Sequence, residues 1–269
     1  MAEPDEVIVE RCQTGVVGLD ELLEGGLPRG RVVLLAGRSG TGKTILGGQF
    51  LYNGVKKFDE PGVLVSLEQH PKMLKMDLKV MGFDLEPLEE TKEVVIIDSS
   101  LSRIGLFSQE SPKKEHTSDY VIAPSKFSVE VILAMIRETA EEIGAKRVII
   151  DSFSSLDSLI ETRKAPTGFE HTIDIRRNIL SIVYGLQSLD TTTILISDLA
   201  GEDVYSKHGI VEYIVDGIIT LHYVTRGVDA GGRFLVVEKM RVTNHSQAMH
   251  PISFNRGRGI QVLSPGAMV

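Results

Sequence analysis

Hydrophobic residues along the chain follow two alternating patterns, one typical of buried strands and the other of amphipathic helices. Continuous apolar runs rich in β-branched residues predict strands at 32–36, 63–67, 94–97, 147–150 and 192–197. Apolar residues at three- and four-residue spacing predict helices between most of these runs, at 43–55, 71–81, 129–143 and 172–189. Because strands that alternate with helices build parallel sheets covered on both faces, we predict an α/β fold with a mostly parallel, twisted sheet.

The pattern changes beyond residue 215. Further strands are predicted at 218–224, 233–239 and 260–263, with no long helix between them, and the glycines of 227–232 predict a hairpin turn. These strands are expected to extend the same sheet in antiparallel fashion. The interval 99–127 is the least regular, so we predict a surface insertion within a single domain that spans 1–269. Whether this insertion is mobile or binds a partner stays open.

Composition and charge exclude several classes of protein. Apolar residues make up 42% of the 269 residues and charged residues 25%, which is typical of a globular fold. Cys12 is the single cysteine, so the chain can form neither an internal disulfide nor a thiolate metal site. The apolar runs are shorter than the ~20 residues of a membrane span, and the acidic N-terminus lacks a signal pattern, which predicts a cytoplasmic protein. A net charge of −8 disfavours nucleic acid as a partner.

Residues 37–44 read Gly-Arg-Ser-Gly-Thr-Gly-Lys-Thr and lie between a predicted strand and a predicted helix. This is the setting of a phosphate-binding loop, in which glycines turn backbone N–H groups toward phosphates at a helix N-terminus. We expect Lys43 to contact the β- and γ-phosphates and Thr44 to bind magnesium. The residues expected to contact the nucleotide here are Ser39, Gly40, Thr41, Gly42, Lys43, Thr44 and Ile45. The sequence therefore predicts binding of a nucleoside triphosphate, with ATP and Mg2+ as the leading choice.

Acidic residues follow three of the predicted strands. Asp151 ends an apolar run in the manner of a Walker B aspartate, which would hold magnesium beside Thr44. Asp98 has the same pattern and competes for this role, and either acid could instead cap the next turn. Glu68 ends another strand and is the candidate that activates the attacking water, although it could also be a solvated acid before a helix. The adjacent Gln69 cannot act as a base.

These residues resemble those of the single-domain KaiC-like ATPases of the RecA superfamily, found in archaea and bacteria. The matching segments run through nearly the whole chain, at 18–20, 25–30, 37–44, 49–54, 59–63, Glu68 and 151–152. The resemblance implies a RecA-like P-loop NTPase core that hydrolyses ATP. It also implies a homo-oligomer, commonly a six-membered ring, with ATP bound between adjacent subunits.

In such an oligomer, the second half of each site comes from a neighbouring subunit. The segment of this chain that matches the family's contribution is 239–245, in which Lys239 and Arg241 would act on the phosphates as an arginine finger does. Thr243 and His245 of the same segment are expected to contact the nucleotide. A strand through this segment would place Lys239, Arg241 and Thr243 on one face. The alternative is a solvated basic strand face.

The chain departs from the family pattern at three places. Gln69 replaces the second of two adjacent glutamates, so slow hydrolysis is expected. Leu199 stands where the family often has the arginine of Thr-Glu-Arg, so phosphate sensing is not expected there. Glu212 and Tyr213 occupy the positions of the Ser-Thr pair that one KaiC domain phosphorylates, so no autophosphorylation is expected at that place.

The leading functional hypothesis is an oligomeric, magnesium-dependent ATPase that acts on an unidentified protein partner. A nucleotide-binding regulatory module with negligible hydrolysis is the main alternative, supported by Gln69 and Leu199. A DNA-acting recombinase of the RecA type is less favoured, since the chain is acidic and shows no appended helical DNA-binding domain. A small-molecule kinase is disfavoured because no arginine-rich lid segment is evident.

Overall fold

The computed structural model describes residues 8–99, 120–121, 129–155, 169–201, 204–207, 209–224 and 231–264. The helices are α1 (Leu19–Leu22), α2 (Lys43–Phe58), α3 (Pro71–Val80), α4 (Glu86–Glu90), α5 (Val129–Ile143), α6 (Phe169–Gln187) and α7 (Val211–Ile214). The strands are β1 (Arg11–Cys12), β2 (Leu27–Pro28), β3 (Val32–Gly37), β4 (Gly62–Ser66), β5 (Val94–Asp98), β6 (Tyr120–Val121), β7 (Arg147–Asp151), β8 (Thr192–Asp198), β9 (Gly217–Tyr223), β10 (Arg233–Met240), β11 (His250–Asn255) and β12 (Gly259–Val262). Within these ranges, no helix is both long enough and apolar enough to span a membrane.

One large sheet organises the molecule. Among the described residues, its ten strands lie in the order β12-β11-β10-β9-β3-β8-β7-β4-β5-β6, while β1 and β2 form a separate pair. Neighbours from β9 to β6 run parallel, and β10, β11 and β12 continue the sheet in antiparallel fashion. This arrangement confirms the predicted α/β fold with a mostly parallel sheet and an antiparallel C-terminal extension.

Successive residues of the central strands face opposite sides of the sheet, as the two-residue period of a strand requires. On β3, Val33 and Leu35 pack into the cluster formed with α2, α3 and α4. Val32 and Leu34 pack into the second cluster, which contains residues of α5 and α6. The central strands are therefore buried on both faces, which explains why their sequences are continuously apolar.

The structure corrects the prediction for the segment 239–245. Strand β10 ends at Met240, its pairing with β9 is irregular between Val237 and Lys239, and Val242 has a φ of 53°. Arg241 and Thr243 therefore lie in the turn beyond the strand, so the prediction that one strand face carries both of them with Lys239 is wrong.

Two further differences concern strands. The sequence pattern missed β11, in which exposed and half-buried positions weaken the alternation. Tyr120–Val121 forms a short strand parallel to β5 at the sheet edge. Apart from Ser99 and Tyr120–Val121, the predicted insertion at 99–127 lies outside the described residues.

The parallel strands bring their carboxyl ends to one edge of the sheet. Gly37 is paired in register with Asp198 of β8, and Ser66 of β4 is paired with both Asp151 and Asp98. We call this edge the loop edge, since β3 leads there into residues 37–44. Sheet topology thus gathers the acids that follow separate apolar runs in the sequence.

Candidate nucleotide site

The loop between β3 and α2 depends on glycine conformations. Gly40 and Gly42 have φ values of 79° and 104°, in the left-handed region that glycine adopts without strain. A Cβ atom on Gly42 would lie 2.3 Å from Cζ of Phe254. Helix α2 begins directly after Gly42, and no described side chain caps its first turn. Its N-terminal N–H groups can therefore bind an anion at this place.

Lys43 is almost fully buried beneath this loop. Its Nζ atom donates to the carbonyl oxygen of Gly37 at 2.8 Å and to that of Arg38 at 3.1 Å. It also donates to Oδ1 of Asp198 at 2.9 Å. The ammonium group thus lies at the loop edge, between the loop and the end of β8.

Thr44 and Asp151 meet directly. The Thr44 hydroxyl donates to Oδ2 of Asp151 at 2.7 Å, although the residues lie far apart in sequence. Burial raises the pKa of Asp151 to about 6, and Glu68 acts in the same direction, while the Thr44 hydrogen bond and Lys43 oppose the shift. Asp98 lies on β5, two strands from β7 on the side away from β3. The contact with Thr44 therefore belongs to Asp151, not to its competitor.

The pair of Thr44 and Asp151 suits magnesium. Mg2+ prefers oxygen ligands and is bound in nucleotide sites through one or two protein side chains together with phosphates and water. A hydroxyl and a carboxylate in hydrogen-bonding contact supply two such ligands. The described part of the chain contains no cluster of three or more His, Cys, Asp or Glu side chains that could hold a metal by itself.

Glu68 lies next to this pair and is held by hydroxyl groups. Its Oε1 atom accepts hydrogen bonds from Ser155 at 2.7 Å and from Ser152. The backbone N–H of Leu67 donates to the carbonyl oxygen of Asp151 at 2.7 Å, which joins the ends of β4 and β7. The Glu68 carboxylate is therefore oriented beside the acid that contacts Thr44.

Lys239 and Arg241 do not join this cluster. Lys239 donates to the carbonyl oxygens of Glu212 at 3.0 Å and Val215 at 2.7 Å. Burial lowers the pKa of Lys239, and the charge of Arg241 lowers it further. Nη1 of Arg241 lies 3.4 Å from Oδ1 of Asp216. Both cations therefore contact residues of α7 and of the short segment that joins it to β9.

Strand register shows how far these cations lie from the loop edge. Met240 pairs with Gly217, which is level with Val33, whereas Gly37 is level with Leu221. Four residues of strand correspond to about 13 Å. The end of β10 therefore lies at the opposite edge of the sheet from the phosphate-binding loop of the same chain.

Thr243 and His245 follow Arg241 and also lie away from the loop edge. The Thr243 hydroxyl accepts a hydrogen bond from Nη1 of Arg11 at 2.6 Å and lies 3.2 Å from the carbonyl oxygen of Arg241. Nδ1 of His245 lies 3.1 Å from the carbonyl oxygen of Ser246. The structure thus brings Lys43, Thr44, Asp151 and Glu68 together and separates them from the segment 239–245.

Sequence reasoning missed several residues of this site. Asp198 contacts Lys43, and it ends an apolar run as Asp151 does, so the same signal could have found it. Ser152 and Ser155 hold Glu68, but serines after a strand carry no distinctive pattern. Phe254 covers Gly42 from β11, the strand that the pattern missed.

Comparisons with known proteins identify the family of this chain. The family model described as the KaiC ATPase matches residues 12–267. A UPF0273 protein of Aeropyrum pernix is 35% identical over 91% of this chain and 90% of its own length. The circadian clock oscillator protein KaiC of Parathermosynechococcus lividus is 28% identical over 97% of this chain, which spans 43% of that protein. The crystal structure of a KaiC-like protein from Pyrococcus horikoshii aligns with a TM-score of 0.75 at 31% identity, covering 96% of this chain and 100% of that one. The chain therefore belongs to the KaiC family of ATPases and has a KaiC-like ATPase domain of the RecA superfamily.

Proposed function

We propose that this chain hydrolyses ATP in a magnesium-dependent reaction, as a single-domain subunit of an oligomer whose nucleotide sites lie between neighbours. The observation that carries the hydrolysis proposal is the position of Glu68 beside Asp151. A hydrolytic site needs a group that orients and deprotonates water next to the group that holds the metal. Glu68, at the end of β4, would act on the water, and Asp151, at the end of β7, would hold the metal.

Each residue of the loop edge has a distinct part in this proposal. The N–H groups of the loop and Lys43 bind the phosphates, and Thr44 and Asp151 hold magnesium. Bound magnesium neutralises charge on the phosphate oxygens. Glu68 accepts a proton from the attacking water, while Ser152 and Ser155 keep its carboxylate in one orientation.

The second half of the site is assigned to a neighbouring subunit. Lys239 and Arg241 lie at the sheet edge opposite the loop of their own chain, so they cannot reach a nucleotide bound there. A head-to-tail contact between subunits would bring this edge next to the loop of a neighbour, and such contacts close into rings. In this arrangement Thr243 and His245 would also approach the neighbour's nucleotide. We propose a hexameric ring that acts on a protein partner.

Hydrolysis is tested by single-turnover measurements on the wild type and Glu68→Gln. Glutamine keeps the shape of the side chain but cannot accept the proton, so the rate should fall by about 10²- to 10⁴-fold. Binding of the nucleotide to the two proteins should be alike, which controls for misfolding. If the wild type turns over no faster than Glu68→Gln and neither exceeds the uncatalysed rate, the chain is a nucleotide-binding module without hydrolysis. The hydrogen bond that ties Gln69 to Asp77 at 2.7 Å favours that second candidate, because it restrains the side chain that replaces the second acid.

The shared site is tested by mixing two inactive variants. Lys43→Ala removes the loop cation, and Arg241→Ala removes the cation assigned to the neighbour. An Arg241→Ala subunit has an intact loop, and a Lys43→Ala subunit has an intact Arg241. Where these two subunits are neighbours in a mixed oligomer, one contact would contain both intact parts and form a complete site. We expect ATPase activity to reappear on mixing, whereas a site formed within one subunit would stay inactive in every mixture.

A further inference from the structure

Asp198 shares the ammonium group of Lys43 with the phosphate-binding loop. A lysine ammonium has three protons, and here each has an acceptor. Two acceptors are the carbonyl oxygens of Gly37 and Arg38, and the third is Oδ1 of Asp198 at 2.9 Å. A phosphate oxygen that binds Lys43 must therefore replace one of these three contacts.

The carboxylate is the contact that can be replaced. The carbonyl of Arg38 also accepts hydrogen bonds from the backbone and the hydroxyl of Thr41, so it is fixed within the loop. The side chain of Asp198 is 53% exposed, whereas that of Lys43 is 9% exposed. The Asp198 carboxylate can therefore rotate into water and stay hydrated there, while the two carbonyl oxygens remain on Lys43.

The main chain of Asp198 is held while its side chain is exposed. Its backbone N–H donates to the Ser154 hydroxyl at 3.0 Å, and that hydroxyl lies 3.2 Å from the hydroxyl of Ser197. Rotation of the side chain about this held backbone therefore leaves the carboxylate charge near Lys43. A negative charge at this distance repels any phosphate on the same ammonium.

We propose that Asp198 is a specificity-determining residue, whose carboxylate competes with the terminal phosphate of a nucleoside triphosphate for Lys43. It weakens binding of the triphosphate more than that of the diphosphate, because the γ-phosphate adds negative charge next to Lys43. This inference rests on the proposed function, since it requires nucleotide phosphates on the loop. It assigns to Asp198 a part in discriminating between the nucleotides before and after hydrolysis.

The test compares binding of ADP and of a non-hydrolysable ATP analogue, with magnesium, to the wild type and Asp198→Asn. Asparagine keeps the size of the side chain and removes its charge. We expect the ATP analogue to bind about tenfold more tightly to Asp198→Asn, as removal of one charge near a protein surface allows, and ADP to change by less than about threefold. The difference should shrink as the salt concentration rises.

Asp190→Asn is the matched control. Asp190 precedes the same strand β8, pairs with Lys146 and is 88% exposed, so its removal changes the net charge equally but far from the loop. It should leave both affinities unchanged. Asp198→Ser provides a second uncharged variant, and thermal melting verifies that each variant is folded.

Each outcome has one meaning. An unchanged ratio of the two affinities in Asp198→Asn and Asp198→Ser, or weaker binding of the ATP analogue, overturns the inference and leaves Asp198 as a support for Lys43. If the wild type binds neither nucleotide more tightly than Lys43→Ala does, the proposed function itself fails, and the inference fails with it.

Discussion

Replacement of Glu60 by glutamine should destabilise the fold strongly, because it removes the counter-charge of a cation that water cannot reach. Arg147, the first residue of β7, is wholly buried, and its Nε and Nη2 atoms lie 2.7 and 2.5 Å from Oε2 of Glu60. Its remaining donors reach the carbonyl oxygens of Phe50 at 2.9 Å and Gln13 at 2.8 Å. The guanidinium group also lies over the rings of Phe50 and Phe58, at 4.4 and 5.2 Å.

The expected cost follows from these contacts. Removal of one partner of a buried ion pair costs about 3–5 kcal/mol, because the other charge stays buried without compensation. Arg29 also pairs with Glu60, at 2.6 Å, but the Arg29 side chain is a third exposed and water can solvate it. Loss of this second ion pair therefore adds at most about 1 kcal/mol. Arg147→Met keeps the apolar packing but leaves the Glu60 carboxylate and the carbonyl oxygen of Gln13 without this donor, at about 1–3 kcal/mol each, whereas Phe50 keeps its hydrogen bond within helix α2.

A double-mutant cycle measures the pair. Urea unfolding of the wild type, Glu60→Gln, Arg147→Met and the double variant is followed at one protein concentration without nucleotide. The double variant should be at least about 2 kcal/mol more stable than the sum of the single changes predicts, since it buries no unpaired charge. The matched control is the exposed pair of Lys146 and Asp190 at 2.8 Å, for which the coupling should be below about 1 kcal/mol. Additivity within about 0.5 kcal/mol at the buried pair would refute this reasoning.

Three further predictions follow from single residues. Burial raises the pKa of Glu60, but its hydrogen bonds and charge pairing with two arginines outweigh this and lower the pKa overall. That pairing stabilises the fold above the pKa of an unfolded carboxyl group and is lost as the pH falls through the folded-state pKa, so urea midpoints of the wild type should fall more steeply in acid than those of Glu60→Gln. Gly42→Ala should abolish nucleotide binding measured by fluorescence titration, because φ of Gly42 is 104° and the new Cβ would meet Phe254. The control is Gly144→Ala, where φ is 64° but no atom lies within 4 Å of the new Cβ, and this variant should still bind the nucleotide. Burial raises the pKa of the Cys12 thiol, so a thiol reagent should label this residue in urea and not in the native protein; rapid labelling without urea would contradict its burial.

The sequence was sufficient to predict the fold because the central strands are buried on both faces. Residues 148–150, which follow Arg147, are all apolar, and apolar runs of this kind alternate with helices up to residue 198. The same reasoning failed at β11, where packing on one face leaves a weaker pattern. A local pattern also could not predict where β10 ends, since the turn at Val242 is stabilised by contacts distant in sequence, such as the hydrogen bond from Arg11 to its carbonyl oxygen.

The candidate site was predictable to the extent that its residues are local in sequence. Spacing alone identifies Lys43 and Thr44, which lie together in the loop and the first turn of α2. It could not decide between Asp151 and Asp98, because both end an apolar run. The decision depends on strand order, in which β7 lies two strands from β3 and β5 lies four strands away. The strand order depends on the crossover connections between strands, which a local sequence pattern cannot predict.

The contacts of Arg241 bear on whether it could act on a neighbour's nucleotide. Asp216 is wholly buried, and it accepts hydrogen bonds from Arg31 at 3.1 Å, from Gln187 at 2.9 Å and from the backbone of Val32 at 3.3 Å. The contact with Arg241 is the longest, at 3.4 Å, and the Arg241 side chain is 48% exposed. If Arg241 turned toward a phosphate, the buried carboxylate would keep its other partners, so the rearrangement would leave no uncompensated charge. A cation held in this way can exchange a weak intramolecular contact for a phosphate at small cost, which is what the proposed shared site requires of it.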